Sequence, residues 1–284
     1  MILLPPPLAY FAAALFGLVF GSFLNVCIVR LPRHESIVKP RSRCPECGKL
    51  ICWYDNVPVL SYLALRAKCR GCRKRISALY PAVEVLTGLV FVGGLAEFGL
   101  TREFLKALIF AALMIVVIFT DLRERIIPHS VTLFGIACGL LLSFWVPVND
   151  GLLEWVFQRS GMEFRGPLSS STGAVLGGLF GAGLLYAVAW FFRRFGDPEK
   201  EYLGFGDVML MLMVGVFLGI PLTYVTILLG SLAGMLVAVP VALLSRRFRQ
   251  YPWPYGSFLG AAAIYAYFAG HELILSYLHW SGLV

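Results

Sequence analysis

The chain has 284 residues, of which 59% are hydrophobic and only 14% charged, with a formal net charge of +8. A soluble domain carries about 25% charged residues, so this composition excludes a water-soluble globular protein and predicts an all-α polytopic membrane protein. The basic excess does not indicate a nucleic-acid partner, because the charges cluster between apolar runs and no nucleic-acid-binding module is recognisable.

A membrane span needs roughly 20 mostly apolar residues. The opening segment, MILLPPPLAYFAAALFGLVFGSFLNVCIVR, has no basic residue before its apolar core and no small-residue cleavage site after it. It reads as a retained first span, Leu8–Val29, rather than a cleaved signal peptide. A basic, cysteine-rich loop follows. The second span is Tyr80–Leu100, which carries Glu84 and Glu97, and the third is the shorter Leu105–Thr120, ending at Asp121. Ser130–Val148 and Ser169–Phe192 are the fourth and fifth, joined by a mixed-charge loop, Asn149–Leu168, that carries no functional signal. Val208–Leu244 then runs 37 residues without a charge. At about 1.5 Å per residue, that is too long for one helix across a ~30 Å core. The Gly219-Ile220-Pro221 triplet is the predicted break, since proline starts a helix more readily than it continues one. Tyr255–Trp280, which includes His271 and Glu272, is the eighth span. No repeat is evident in the soluble part.

Eight spans put both termini on one face. The Arg30–Ala78 loop holds twelve Lys or Arg, and the loops on its side of the membrane hold 20 of the 24 in the chain, against 4 opposite. Cytoplasmic loops are enriched in Lys and Arg, so the termini are predicted outside and the cysteine loop inside, facing anionic lipid. The predicted organisation is a first span at 1–29, a loop domain at 30–79 and a membrane domain at 80–284.

Four of the seven cysteines form two pairs, Cys44/Cys47 in CPEC and Cys69/Cys72 in CRGC, separated by twenty-one residues. Two CxxC knuckles at this spacing suit a tetrahedral, structural Zn²⁺ site with no open position for water. Unligated or redox-active thiols remain the alternative, with Cys27, Cys52 and Cys138 left over.

Asp121 closes the third span in IFTDLRERIIPHSVT, and Asp207 opens the sixth in GFGDVML. An ionisable residue at membrane depth marks a functional site by default. Two carboxylates held close share one proton near neutral pH; one can then activate water while the other polarises a carbonyl. Helix capping is the plainer alternative. It suits Asp207 at an N-terminus and suits Asp121 poorly at a C-terminus, where the macrodipole disfavours an anion.

Five segments, taken together, resemble the type IV prepilin peptidases, membrane aspartic proteases of pilus and type II secretion systems. These are GSFLNVCIVRLP (21–32), the CPEC-to-EVLTG region (44–88), DLRERIIPHSVT (121–132), GFGDVMLMLMVGVFLG (204–219) and PYGSFLGAAAIYA (254–266). The resemblance implies that Asp121 and Asp207 are the catalytic pair and that Cys44, Cys47, Cys69 and Cys72 hold zinc. It implies prepilin or pseudopilin substrates cut after a glycine at the cytoplasmic face of the bacterial inner membrane, with N-methylation of the new terminus by S-adenosylmethionine. Glu84 matches a recurrent family glutamate and is a candidate for contact with the substrate or the methyl-transfer machinery; pairing with a loop arginine such as Arg75 is the alternative.

Two positions depart from the family pattern. Met209 stands where lysine is common, and His129 where Asp or Asn is common; His129 reads as an interfacial helix start. Asn25 reads as an interhelical hydrogen-bonding residue. Two other classes compete with the peptidase. A transporter would relay protons through Asp121 and Asp207, but would place them near the midplane rather than at one face. A thiol oxidoreductase would place its CxxC pairs on the oxidising side, opposite to the charge tally.

Overall fold

The structure is a computed structural model that describes residues 6–148, 166–196, 203–244 and 253–282. Most of the expected outside loop at 149–168 lies outside the described residues, as do residues 197–202 and the basic stretch at 245–252. The main helices are α1 (Pro6–Arg30), the short α2 (Leu60–Ala64), α3 (Leu79–Phe98), α4 (Arg102–Glu124), α5 (His129–Ser143), α6 (Pro167–Phe195), α7 (Phe205–Leu244) and α8 (Tyr255–Trp280). Six of them are long and apolar enough to cross a membrane, and α5 is a shorter apolar helix. Helices dominate because lipid offers no partner for a free backbone N–H or C=O. The outward faces of α1 and the second half of α7 carry exposed Phe11, Phe16, Leu228 and Leu236, as a lipid solvent requires.

The chain divides into two compact units, Met1–Val116 and Val117–Val284. In the first, α1 and α3 meet along a seam of small residues. A Cβ on Gly17 would lie 2.8 Å from Gly88 Cα, and one on Gly21 would lie 2.7 Å from Glu84 Cα. Without a hydrophobic force between helices in lipid, such close backbone approach supplies the contact. Buried Asn25 adds the expected interhelical bond, its Nδ2 donating to the Tyr80 carbonyl at 3.0 Å. Lys106 belongs to α4 and is buried, with Glu103 within electrostatic range.

In the second unit, α7 breaks where the sequence predicts. Gly219 adopts φ 74° and ψ −178°, which a side chain would resist. Pro221 falls in the first turn beyond the break, where a missing N–H costs nothing. The Thr223 hydroxyl donates to the freed Gly219 carbonyl at 2.5 Å. The chain also reverses there. A Cβ on Gly181 of α6 would lie 2.6 Å from the Met211 carbonyl oxygen and 2.8 Å from Thr223 Cγ2. Those two residues would stand about 18 Å apart in a straight helix. α7 is therefore two limbs folded onto α6, which makes eight apolar helical segments among the described residues. The first limb is the buried one, with Met211, Met213, Val214 and Phe217 in the core; Leu259 and Ala263 of α8 are buried too.

A Cβ on Gly215 would lie only 2.1 Å from the Gly177 carbonyl oxygen. Gly215→Ala is therefore expected to force α6 from α7 and destabilise the protein by about 1–3 kcal/mol. Thermal unfolding in detergent, followed by helical circular dichroism, checks this.

Candidate functional site

Asp121 sits in the last turn of α4 and is 6% exposed. An anion there faces the negative end of its own helix dipole, but a second helix compensates. Asp121 meets the first turn of α8, where backbone N–H groups lack partners along the helix ladder. Ser257 N–H donates to Asp121 Oδ2 at 2.7 Å, and the Ser257 hydroxyl donates to the same oxygen at 2.8 Å. Gly256 permits this approach, since a Cβ on it would lie 3.2 Å from Oδ2 of Asp121 and 2.7 Å from Ile127 Cδ1.

Asp207 is the third residue of α7 and half-buried. Its neighbour Gly206 backs onto Ile127, whose Cβ would lie 3.2 Å from a Cβ on that glycine. Ile127 thus packs against the start of α7 and the start of α8 at once, with Asp207 on one side and Asp121 on the other. The two carboxylates are close enough for the charge of Asp121 to act on Asp207. Tyr255, which also lies within electrostatic range of Asp207, donates or accepts a 2.9 Å hydrogen bond with Ser231 on the second limb of α7. His129 is the first residue of α5, is exposed, and has its ring 5.9 Å from that of Phe205. That position suits a helix start.

Both expected aspartates are therefore brought together. Ser257, Gly256, Tyr255 and Ile127 were not singled out by sequence reasoning. The only signal for the first three was their membership of the PYGSFLGAAAIYA segment.

The cysteine loop, in the first unit, forms a separate candidate metal centre. The Sγ atoms of Cys44, Cys47, Cys69 and Cys72 lie within 4.8 Å of one another, with Cys44 and Cys72 at 4.0 Å. Thiolates on one tetrahedral zinc, at about 2.3 Å each, stand about 3.8 Å apart, so these residues fit that ion. The two knuckles are copies of one hairpin. Cys44 N–H donates to the Lys49 carbonyl and Cys69 N–H to that of Lys74, both at 2.9 Å. Gly48 N–H returns to Cys44 and Arg73 N–H to Cys69 in the same way, and the bridges Arg43–Leu50 and Lys68–Arg75 also correspond. The N–H groups of Cys72 and Gly71 pull the Cys69 thiol down to about 6, favouring the thiolate that binds metal. Arg70 grips Asp55 with Nε at 2.9 Å and Nη2 at 2.7 Å, which holds the Asp55 carboxyl below its usual range. Lys74 pairs with Glu46 across the knuckles.

Glu84, 7% exposed on α3, accepts the Val59 N–H at 2.8 Å and also bonds the Ser22 side chain. Val59 is held at φ 58°, a strained value for a β-branched residue. The partners of Glu84 are thus a strained loop backbone and α1.

Residues 15–98 match the family model described as the bacterial peptidase A24 N-terminal domain, and residues 108–239 match that of the type IV leader peptidase family. A prepilin leader peptidase/N-methyltransferase of Burkholderia pseudomallei strain 1026b is 30% identical over 297 aligned residues, covering 96% of this chain and 89% of the relative. The chain belongs to the type IV leader peptidase family. It is thereby an enzyme of a peptidase family. A relative of the same name from Bacillus subtilis is 30% identical across 93% of this chain and 96% of its own length. One from Myxococcus xanthus is 42% identical across 84% of this chain, and the match spans 65% of that relative's length. No solved structure matches the chain. Both aspartates lie within the region matched at 108–239, whereas Ser257 lies beyond it.

The two-knuckle geometry predicts about one zinc per chain by elemental analysis, lost on Cys44→Ser or Cys69→Ser. Arg73 has φ 62° where its counterpart Gly48 has 69°. Arg73→Gly is therefore expected to stabilise the loop by about 1 kcal/mol with unchanged zinc content, measured as a higher chelator concentration for metal release.

Proposed function

We propose that this protein removes the leader peptide of prepilins and prepilin-like proteins, with Asp121 and Asp207 as its catalytic pair. The observation that carries the reading is that buried Asp121 and half-buried Asp207 stand within electrostatic reach of each other, inside the region matched to the leader peptidase family. A water between them can lose a proton to one carboxylate while the other hydrogen-bonds the scissile carbonyl. Prepilins, as single-span substrates, would reach the site laterally through lipid and present the bond after a glycine at the membrane surface. The charge distribution supports a cytoplasmic site in the bacterial inner membrane, with both termini outside.

The four cysteines would hold a structural zinc. A site filled by four thiolates has no coordination position for water, so the ion would fold the 30–79 loop domain and leave hydrolysis to the membrane domain at 80–284. The relatives' names support a second activity, N-methylation of the new terminus, for which S-adenosylmethionine would be the donor. Glu84 remains the candidate residue for that activity. Because its carboxylate serves Val59 and Ser22, it would act by holding the loop.

Cleavage of a purified prepilin in liposomes tests the reading. Asp121→Asn and Asp207→Asn are each expected to cut roughly 100- to 10,000-fold more slowly while keeping wild-type helical content. Mass spectrometry of the wild-type product should show the mass of one added methyl group. Wild-type cleavage by either variant would remove the pair from the mechanism.

A further inference from the structure

Resting on the catalytic reading of the two aspartates, we infer that Ser257 is the positioning residue that makes the pair asymmetric: it holds Asp121 as the proton acceptor and leaves the transferable proton on Asp207. The inference starts from what each donor can do. A backbone N–H only donates, and that of Ser257 lies 2.7 Å from Oδ2 of Asp121, well inside its longer 3.2 Å contact with the Pro254 carbonyl. The Ser257 hydroxyl has one proton and two acceptors in reach, Oδ2 at 2.8 Å and the Ile118 carbonyl at 3.0 Å. With Asp121 ionised, both donors are satisfied on Oδ2. With a proton on Oδ2, the hydroxyl must turn to Ile118, and the N–H exchanges its short charge-assisted bond for the longer one to the Pro254 carbonyl. The geometry therefore favours a bare Oδ2 and leaves Oδ1 to take a proton from water.

The helices hold this arrangement in place. Gly256 lets the N-terminus of α8 approach to contact, and Ile127 fills the space beside it. Asp207 meets the Gly204 backbone rather than a matched pair of donors on one oxygen. A proton shared by the two residues thus settles on Asp207.

The roles follow. The water oxygen bonds to the scissile carbonyl carbon as Oδ1 of Asp121 takes one of its protons. Asp207 gives its proton to the carbonyl oxygen, and a gem-diol results. The C–N bond then breaks: Asp121 returns its proton to the leaving nitrogen, and one gem-diol hydroxyl returns a proton to Asp207. Peptide and water have become acid and amine, and both aspartates are restored.

The test is steady-state prepilin cleavage by the full chain in liposomes, with Ser257→Ala, Ser257→Thr and Ser257→Val. A hydrogen bond to a charged group is worth roughly a 10- to 100-fold change in rate. Ser257→Ala keeps the N–H and loses the hydroxyl, so kcat should fall by about that factor with KM unchanged. Ser257→Thr should recover most of kcat. Ser257→Val, matched to threonine in shape, should not. If the alanine variant loses its helical signal, the threonine and valine pair makes the same comparison. Wild-type kcat in folded Ser257→Ala, or equal kcat in the threonine and valine variants, would overturn the inference. Asp121→Asn and Asp207→Asn run alongside: if they still cleave, the catalytic reading has failed; if they are inactive while Ser257→Ala is fully active, only the role of Ser257 has.

Discussion

One carboxylate oxygen, Oδ2 of Asp121, accepts two hydrogen bonds from a single residue 136 positions further along the chain. Much of the second unit is arranged around that contact. It sets the C-terminal end of α4 against the N-terminal end of α8, so a negative helix end carrying an anion meets a positive one. It requires a glycine at 256 and a tightly packed Ile127. Ile127 in turn fixes the start of α7, where Asp207 stands. Water would compete for every one of these bonds at the surface. Away from water, the Ser257 donors have only the Ile118 and Pro254 carbonyls as further acceptors, which makes their geometry more decisive.

The membrane shapes the rest by what it withholds. Helix pairs gain little from burying leucine against lipid that is equally apolar, so contact depends on how closely backbones can approach. Glycines occupy the α1–α3 seam and the α6–α7 seam for this reason. The same scarcity of partners explains why the break at Gly219 comes with a threonine hydroxyl for its freed carbonyl. The cysteine loop, by contrast, has no fully buried residue, and its fold would rest on the four cysteines and the Arg70–Asp55 pair.

Much of this was legible in the chain itself. The spans follow from run length, the break in α7 from a glycine and proline in a run too long for one helix, and the two aspartates from their position at the ends of apolar segments. Asn25 also does what its type and place suggest. The rest depends on distance in space. Ser257 is an ordinary serine in a helical segment until α8 is laid against α4. The repeat in the cysteine loop is faint in the sequence because its two copies, SRCPECGKLI and AKCRGCRKRI, share few residues beyond the cysteines; the likeness lies in backbone hydrogen bonds. Glu84 reads in sequence as a partner for an arginine or a substrate. Its partners are the backbone of Val59 and the side chain of Ser22, and no spacing rule pairs an acidic side chain with a strained N–H in a distant loop.

The reversal at Gly219 also bears on how the protein is made. No charged residue marks the turn, so the insertion machinery meets one uncharged stretch of 37 residues, far more than a single crossing needs. Neither limb carries a flanking charge at the turn to fix its direction, and topology there must come from pairing. By then α6 has already been synthesised, and it presents Gly177, Gly178 and Gly181 to residues on both sides of the turn. The order of synthesis matches the order of packing: α6 serves as a template, and the limb that carries Asp207 is positioned by a helix completed before it.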